Sequence, residues 1–156
     1  MQDFNSIIEE FIQRSCDNKV RMLLVGGGAV NFHGYQRHSA DIDFWIDLTP
    51  ENLDNLKRTL TQMGYEFEEF PNKVIKGLQN ISVKISPVLE LELITKFNPG
   101  KTFEQAFADS ITVCIDGNPV KKYQVLSFDD LINSKLKAGR EQDFRDILML
   151  RKIKNQ

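Results

Sequence analysis

The stretch from residue 23 to residue 47 constrains the fold most, because it joins two strand patterns through a glycine-rich turn. It opens with apolar residues at 23–25, which predict a buried strand, and three glycines follow at 26–28. Consecutive glycines after a strand indicate a tight turn whose backbone approaches a neighbour closely. Residues 29–35 have helix-compatible spacing, so the turn is predicted to lie at a helix N-terminus, where backbone N–H groups favour an anion.

An alternating segment follows, and as a strand it has one apolar and one acidic face. Its apolar face carries Ile42, Phe44 and Ile46, and its other face carries Asp41, Asp43, Trp45 and Asp47. Residues two apart on a strand lie about 7 Å apart on one face, so the carboxylates of Asp41 and Asp43 can converge on a divalent cation. Carboxylates and substrate phosphates are typical ligands of Mg²⁺. The stretch therefore predicts a nucleoside triphosphate site with Mg²⁺; a structural glycine turn and a solvated acidic strand face are the alternatives.

These residues carry a resemblance to a known family. The pair Gly26-Gly27, a short helix and the run Arg37-x-Ser39-x-Asp41-x-Asp43 resemble the signature of the nucleotidyltransferase superfamily typified by DNA polymerase beta. The small bacterial members, such as minimal nucleotidyltransferases and lincosamide or aminoglycoside nucleotidyltransferases, are the most similar in this run. The resemblance implies the nucleotidyltransferase fold, an α/β (α+β) domain with a mixed, mostly antiparallel sheet flanked by helices. We expect a single domain of this kind over residues 1–156.

The resemblance also implies an activity and a role for each residue of the signature. The expected reaction is metal-dependent transfer of a nucleoside monophosphate from a nucleoside triphosphate to a hydroxyl. Asp41 and Asp43 would hold two Mg²⁺ ions about 4 Å apart, with Mn²⁺ as an alternative metal. The backbone of Gly26 and Gly27, with Ser39 and Arg37, would hold the phosphates. For Arg37, pairing with a neighbouring carboxylate is the alternative.

The superfamily places a third catalytic carboxylate on a strand next to the Asp-x-Asp strand. Residues 88–94 alternate in the same way, with Glu90 and Glu92 on one face and leucines on the other. The residues flanking Glu92 resemble the family pattern better than those flanking Glu90, although an aspartate is more usual there. Glu92 is therefore predicted as the third catalytic and metal-binding residue, with Glu90 or an exposed acidic strand face as alternatives.

The run Lys135-x-x-Ala138-Gly139-Arg140-x-x-Asp143-x-x-Asp146 resembles the closing segment of small nucleotidyltransferase-like proteins. There a lysine and an arginine–aspartate pair lie near the nucleotide end of the sheet. Lys135 is thus a candidate contact to phosphate or base, with a solvated lysine as the alternative. Arg140, Asp143 and Asp146 are predicted to form an ion-pair ladder within one helix.

The remaining segments give a coarse order of elements. Amphipathic patterns predict a helix near the N-terminus and another that is capped by Thr49, begins at Pro50 and stops at Gly64. Residues 65–70 and 73–75, separated by proline and asparagine, predict a hairpin. Later segments predict a strand at 81–85, a short helix, a second hairpin near 111–125 and two C-terminal helices.

Composition limits the classes of partner. The net charge of −2 gives no general attraction to nucleic acid or to anionic membranes, so a template-reading polymerase is disfavoured. No apolar run reaches the length of a membrane span, and neither a signal peptide nor a ligand-spaced cysteine cluster is apparent. Two distant, reduced cysteines suit a cytoplasmic protein.

The acceptor hydroxyl is left open by the sequence. A small antibiotic, a protein tyrosine and an RNA end are all compatible with the resemblance. The second hypothesis is an antitoxin-like or non-catalytic protein that keeps the fold and binds or modifies a partner toxin. The acidic residues of the signature are all present, which favours activity.

Overall fold

The computed structural model describes residues 4–39 and 41–156. Residues 1–3 and 40 of the predicted domain lie outside the described residues. The helices are α1 (Ser6–Asp17), α2 (Gly26–Phe32), α3 (Pro50–Gln62), α4 (Asn72–Ile75), α5 (Phe103–Ala108), α6 (Phe128–Ala138) and α7 (Glu141–Lys154). The strands are β1 (Met22–Val25), β2 (Asp41–Ile46), β3 (Ile81–Ser86), β4 (Leu89–Ile94), β5 (Ile111–Cys114) and β6 (Lys122–Val125). Among the described residues, no helix is both long enough and apolar enough to cross a membrane.

The six strands form one mixed sheet in the order β3-β4-β2-β1-β6-β5. The pairs β1–β2, β3–β4 and β5–β6 are antiparallel, while β2–β4 and β1–β6 are parallel. This confirms the predicted mixed, mostly antiparallel sheet flanked by helices. Since β1, β2 and β4 are interior strands, the glycine turn after β1 and the acids of β2 and β4 lie at the middle of the sheet.

The two longest predicted patterns formed as the sequence indicated. In α1, Ile8, Phe11 and Ile12 are buried at helical spacing. In α3, the hydroxyl of Thr49 accepts a hydrogen bond from a backbone N–H of the first turn, and Pro50 is the first helical residue. Both helices therefore present an apolar stripe to the core.

The acidic face of β2 is open at only one end. Trp45 shares that face with Asp41 and Asp43, but it is buried, with its ring centroid 5.1 Å from that of Phe97 and 5.0 Å from that of Phe103. These aromatic contacts close the second half of the strand. The open part of the face is thus confined to the half that carries the two aspartates.

The hairpin predicted at residues 65–70 and 73–75 is wrong. The first segment is irregular, and the second belongs to the short helix α4, which follows Pro71. The rings of Phe67 and Phe70 pack on each other with centroids 5.0 Å apart, so the two aromatic residues do not alternate between the faces of a strand. Gly77, at φ +72°, then follows the helix and leads toward β3.

Candidate functional site

The glycine turn touches the residues that follow it on β2. Gly26 has φ +61°, and a Cβ there would collide with Oδ2 of Asp43. A Cβ on Gly27 would lie 2.6 Å from Oγ of Ser39. Both positions therefore require glycine, the first for its conformation and both for the closeness of the backbone to side chains. The predicted helix N-terminus is confirmed, since α2 begins at Gly26 itself.

The acids of β2 and β4 lie side by side, because these strands are parallel neighbours about 4.8 Å apart. Asp41 is opposite Glu90, and Asp43 is opposite Glu92. The strand predicted to carry the third carboxylate is therefore next to the Asp-x-Asp strand, as expected. The hydroxyl of Ser82 on β3 donates a hydrogen bond to Glu92. Since β3 lies on the other side of β4 from β2, this contact directs the carboxylate of Glu92 toward β3.

The charged form of the Asp43 side chain is disfavoured in this position. Burial, followed by repulsion from Asp41 and Glu92, raises the pKa of its carboxyl to about 6. Across residues 4–39 and 41–156, no three acidic, histidine or cysteine side chains form a ready-made metal cluster. The oxygen donors nevertheless suit Mg²⁺ in kind, and a cation between Asp41 and Asp43 would relieve the repulsion that acts on Asp43. Completing a three-carboxylate set requires Glu92 to turn from Ser82 toward Asp43.

Arg37 and Ser39 lie beside the glycine turn. The hydroxyl of Ser39 donates to the backbone oxygen of Asp41 at 3.0 Å. Arg37 makes a two-pronged contact with Asp146 of α7, Nε to Oδ1 at 2.9 Å and Nη2 to Oδ2 at 3.0 Å. The partner of Arg37 is thus a distant carboxylate of the last helix, and the acids of β2 do not pair with it.

Lys135 on α6 is buried, with 5% of its surface exposed, so the alternative of a solvated lysine is wrong. Its Nζ lies 2.8 Å from Oδ2 of Asp146 and 3.3 Å from Oδ1 of Asp143. Arg140 also binds Asp143, with Nε 2.7 Å from Oδ2. The predicted ladder within one helix is therefore correct for Arg140 and Asp143 and wrong for Asp146, which pairs with Lys135 and Arg37.

The pKa values of the two acids of α7 shift in the opposite direction from that of Asp43. Although burial acts to raise the pKa of Asp143, hydrogen bonds from Arg140 and the charge of Lys135 lower it. Burial likewise opposes ionisation of Asp146, but hydrogen bonds from Lys135, Arg37 and Gln142 lower its pKa. Both carboxylates are therefore stabilised as anions by cations that the chain itself supplies.

These groups surround a cleft with two connected parts. The first, which we call the glycine cavity, has a volume of about 280 Å³ and is lined by every predicted site residue except Glu92. The second, the Phe97 cavity, has a volume of about 320 Å³. In addition to the shared residues, it is lined by Val25, Asn80, Ile94, Lys96, Phe97, Ser134 and Ala138. Asp43, Lys135 and Arg140 border both cavities.

Several residues of the cleft were not predicted as site residues from the sequence. Arg140 and Asp143 belong to the quoted C-terminal run, so the resemblance contained a signal for them that the helix-ladder interpretation set aside. Asn80 and Phe97 belong to no motif, and they reach the cleft only because β4 lies between β3 and β2 in the sheet.

Comparison with known proteins supports the family. A search of curated proteins finds no significant match to the sequence. A family model described as "Nucleotidyltransferase of unknown function (DUF6036)" matches residues 2–154, which is almost the whole chain. The chain belongs to this nucleotidyltransferase family.

Proposed function

We propose that the protein transfers a nucleoside monophosphate from a nucleoside triphosphate to an acceptor hydroxyl, using Mg²⁺ or Mn²⁺. One observation carries the proposal: Asp41 and Asp43 border a cleft that also contains the glycine turn and Arg37, Lys135 and Arg140. Acids beside cations in one cleft match a substrate that combines a metal ion with phosphates. Membership of the family supports nucleotidyl transfer in general.

The carboxylates would hold the metal. Asp41 and Asp43 supply hard oxygen ligands from one strand face, and Glu92 would join them after leaving Ser82. When bound, the metal would offset the charge of the phosphates and of the attacking oxygen. The pKa of Asp43, raised to about 6 by burial and by its acidic neighbours, supports a need for a positive partner at this position.

The cationic wall would bind the triphosphate. Asp146 holds Nε and Nη2 of Arg37, whose Nη1 makes only a long bond of 3.5 Å to the backbone oxygen of His38. Asp143 holds Nε and Nη2 of Arg140, so Nη1 of both guanidinium groups would be the donor to a phosphate oxygen. Gly26 and Gly27 would contribute backbone N–H groups, since no Cβ hinders the approach. Preorganised donors of this kind stabilise the charge that develops during phosphoryl transfer.

In the proposed reaction the acceptor oxygen attacks the α-phosphorus and forms a new O–P bond. The bond from the α-phosphorus to the oxygen bridging to the β-phosphorus breaks, and pyrophosphate leaves with that oxygen. The hydroxyl proton passes to the carboxylate of Glu92 and from there to water. In this proposal Glu92 is catalytic because it contacts the reacting hydroxyl, and Asp143 and Asp146 position the cations.

A binding protein of antitoxin-like character is the second candidate. The bond between Ser82 and Glu92 favours it, because it leaves the three acids apart. Exposed apolar side chains on α7, Phe144 and Leu148, also offer a contact for a partner protein. A protein of this kind would bind its partner without metal-dependent binding of a nucleoside triphosphate.

Calorimetry tests the proposed function directly. We expect ATP, GTP, CTP or UTP to bind when Mg²⁺ or Mn²⁺ is present and not when EDTA is present, because Asp41 and Asp43 repel the bare triphosphate. Asp43→Asn should weaken this binding, whereas Asp54→Asn, a change on the exposed side of α3, should leave it unchanged. Metal-independent binding, or no binding of any of the four nucleotides, would contradict the proposal.

A further inference from the structure

A groove of about 590 Å³ runs beside β3, outside the cleft described above. One wall is formed by Tyr65, Phe67, Phe70 and Val74, from the irregular segment after α3 and from α4. The other wall is β3 itself, at residues 81–84. The groove thus lies between a largely aromatic wall and a strand.

The outer side of β3 has no strand partner among the described residues. β3 is the first strand of the sheet and pairs with β4 alone. In an antiparallel pair, alternate residues of an edge strand direct their N–H and C=O groups outward. Such an edge accepts another extended chain unless proline, a bulge or charges protect it. Residues 81–84 pair in regular register with β4, contain no proline and carry a single charge, on Lys84. The pairing with β4 becomes irregular only between Lys84 and Ser86, so the first four residues of β3 can accept an added strand.

The groove leads to the candidate active site. Asn80 lines both the groove and the Phe97 cavity, which is also bordered by Asp43. Its position is fixed, because Oδ1 accepts a hydrogen bond from the backbone N–H of Thr95 at 3.0 Å. The groove and the Phe97 cavity thus adjoin at Asn80, and a chain that lies along β3 and continues past Asn80 would reach the cavity that Asp43 borders.

The lining of the groove favours a polypeptide over a nucleic acid. Its two charged residues are Glu69 and Lys84, which balance each other, and the rest of the lining is aromatic, aliphatic or neutral polar. Nucleic acid binding depends on an excess of lysine and arginine that neutralises phosphates. An added strand instead uses the unpaired backbone groups of β3 and places every second side chain in an apolar pocket.

We propose that this groove binds an extended segment of the acceptor, a polypeptide, as an additional strand on β3. Alternate apolar side chains of that segment would lie against Phe67 and Phe70, and a hydroxyl-bearing residue beyond Asn80 would enter the Phe97 cavity. There its oxygen would form the new bond to the α-phosphorus as the bond from that phosphorus to the bridging oxygen breaks. Pyrophosphate would leave with the bridging oxygen, and the hydroxyl proton would pass to Glu92 and then to water. The role of the segment as acceptor rests on the proposed nucleotidyl transfer; its binding to the groove does not.

The binding is tested with a display library of random octapeptides, selected on the immobilised protein without nucleotide. We expect the selected peptides to carry apolar residues at every second position and to slow hydrogen exchange of the amides at residues 81–84. Phe67→Ala should weaken the binding of a selected peptide at least about tenfold, or about 1.4 kcal/mol. Leu78→Ala, which removes an exposed apolar side chain outside the groove, should have no effect and is the matched control.

A second measurement does not alter the protein. N-methylation of alternate backbone amides in a selected peptide should abolish binding at the positions that bond to β3 and spare the positions between them. Failure to select any peptide, selection of peptides that leave the amides of β3 unprotected, or a dimer of the free protein with protected β3 amides would overturn the groove assignment.

The acceptor role is tested with the same peptides, extended by serine, threonine or tyrosine, and with nucleotides labelled at the α-phosphate plus Mg²⁺. Labelling of the hydroxyl residue supports the role, and Phe67→Ala should lower kcat/KM for the peptide without changing nucleotide binding. Peptides that bind but stay unlabelled, while the metal–nucleotide complex binds normally, would overturn the acceptor role alone. Absence of nucleotide binding would overturn the proposed function and leave the groove result standing.

Discussion

Asp43 of β2 and Asp143 of α7 border the same cleft, but their pKa values shift in opposite directions. On β2, burial and the neighbouring acids Asp41 and Glu92 raise the pKa of Asp43 to about 6. On α7, Asp143 and Asp146 are buried more completely, yet their pKa values are lowered by lysine and arginine hydrogen bonds. Burial opposes ionisation in both groups, so the neighbours decide the outcome.

The difference distinguishes the acids that we propose as metal ligands from the acids that pair with lysine and arginine. The acids of α7 form ion pairs with lysine and arginine side chains of the same chain. These ion pairs join α6, α7 and the loop before β2 into one charged network. The negative charge of the β2 and β4 acids is compensated less completely by nearby cations, although Lys135 and Arg140 act to lower the pKa of Asp43. A group whose charge is completed by the chain serves structure, whereas a group left in excess is suited to an external cation.

The largest expected effect concerns the acids of β4. If Glu92 accepts the hydroxyl proton, Glu92→Gln should lower nucleotidyl transfer by about 10²–10⁴-fold while the fold is retained. Glu90→Gln removes the same charge from the same strand, opposite Asp41, and should retain most of the activity. Single-turnover assays with labelled nucleotide measure both variants. The reverse result would move the third carboxylate to Glu90.

The second effect concerns the α7 network. Asp146→Ala removes one of the two acidic partners of the buried Lys135 and both hydrogen bonds between Arg37 and this acid. The variant should therefore lose about 3–5 kcal/mol of unfolding free energy. Urea denaturation measures this loss. Glu141→Ala breaks an exposed pair with Arg145 on the same helix and should cost less than about 1 kcal/mol. Equal and small losses in the two variants would mean that the network contributes little to stability.

The smallest effect is on the stability of the metal-free protein. Because the folded state raises the pKa of Asp43 to about 6, it binds this proton more tightly than the unfolded chain does. The stabilisation of the folded state by this proton is therefore present below about pH 4, the ordinary range of the aspartate pKa, and is lost as the pH rises through 6. At pH 7.5, Asp43→Asn should raise the melting midpoint by about 2–6 °C, and at pH 4 the two proteins should agree.

Melts with Mg²⁺ and with chelator complete this test. Bound Mg²⁺ should stabilise the wild type more than Asp43→Asn, because the variant loses part of the site that distinguishes folded from unfolded protein. Parallel melts of the two proteins in both buffers would show that Asp41 and Asp43 are a solvated strand face without a shared cation.

The sequence was sufficient where the chain determines its structure locally. The alternation of residues 41–47 defines which side chains share a strand face, and Thr49 and Pro50 define where α3 begins. The glycine turn could be predicted because glycine adopts a positive φ and allows close approach of the backbone, as Gly26 does beside Asp43. Local sterics and periodicity thus predicted the glycine turn and the shared face of Asp41 and Asp43, and the family resemblance supplied the other site residues. Of the eight predicted site residues, seven line the glycine cavity.

Only the tertiary structure decided which distant groups meet. Lys135 of α6 can be buried as a cation because Asp143 and Asp146 of α7 pair with it. Arg37 pairs with Asp146, which lies more than a hundred positions further along the chain. The same holds for Glu92, whose neighbours Asp43 and Ser82 come from strands on either side of β4. Periodicity assigns a side chain to a face, but long-range packing sets its partners, and with them its charge state and its chemistry.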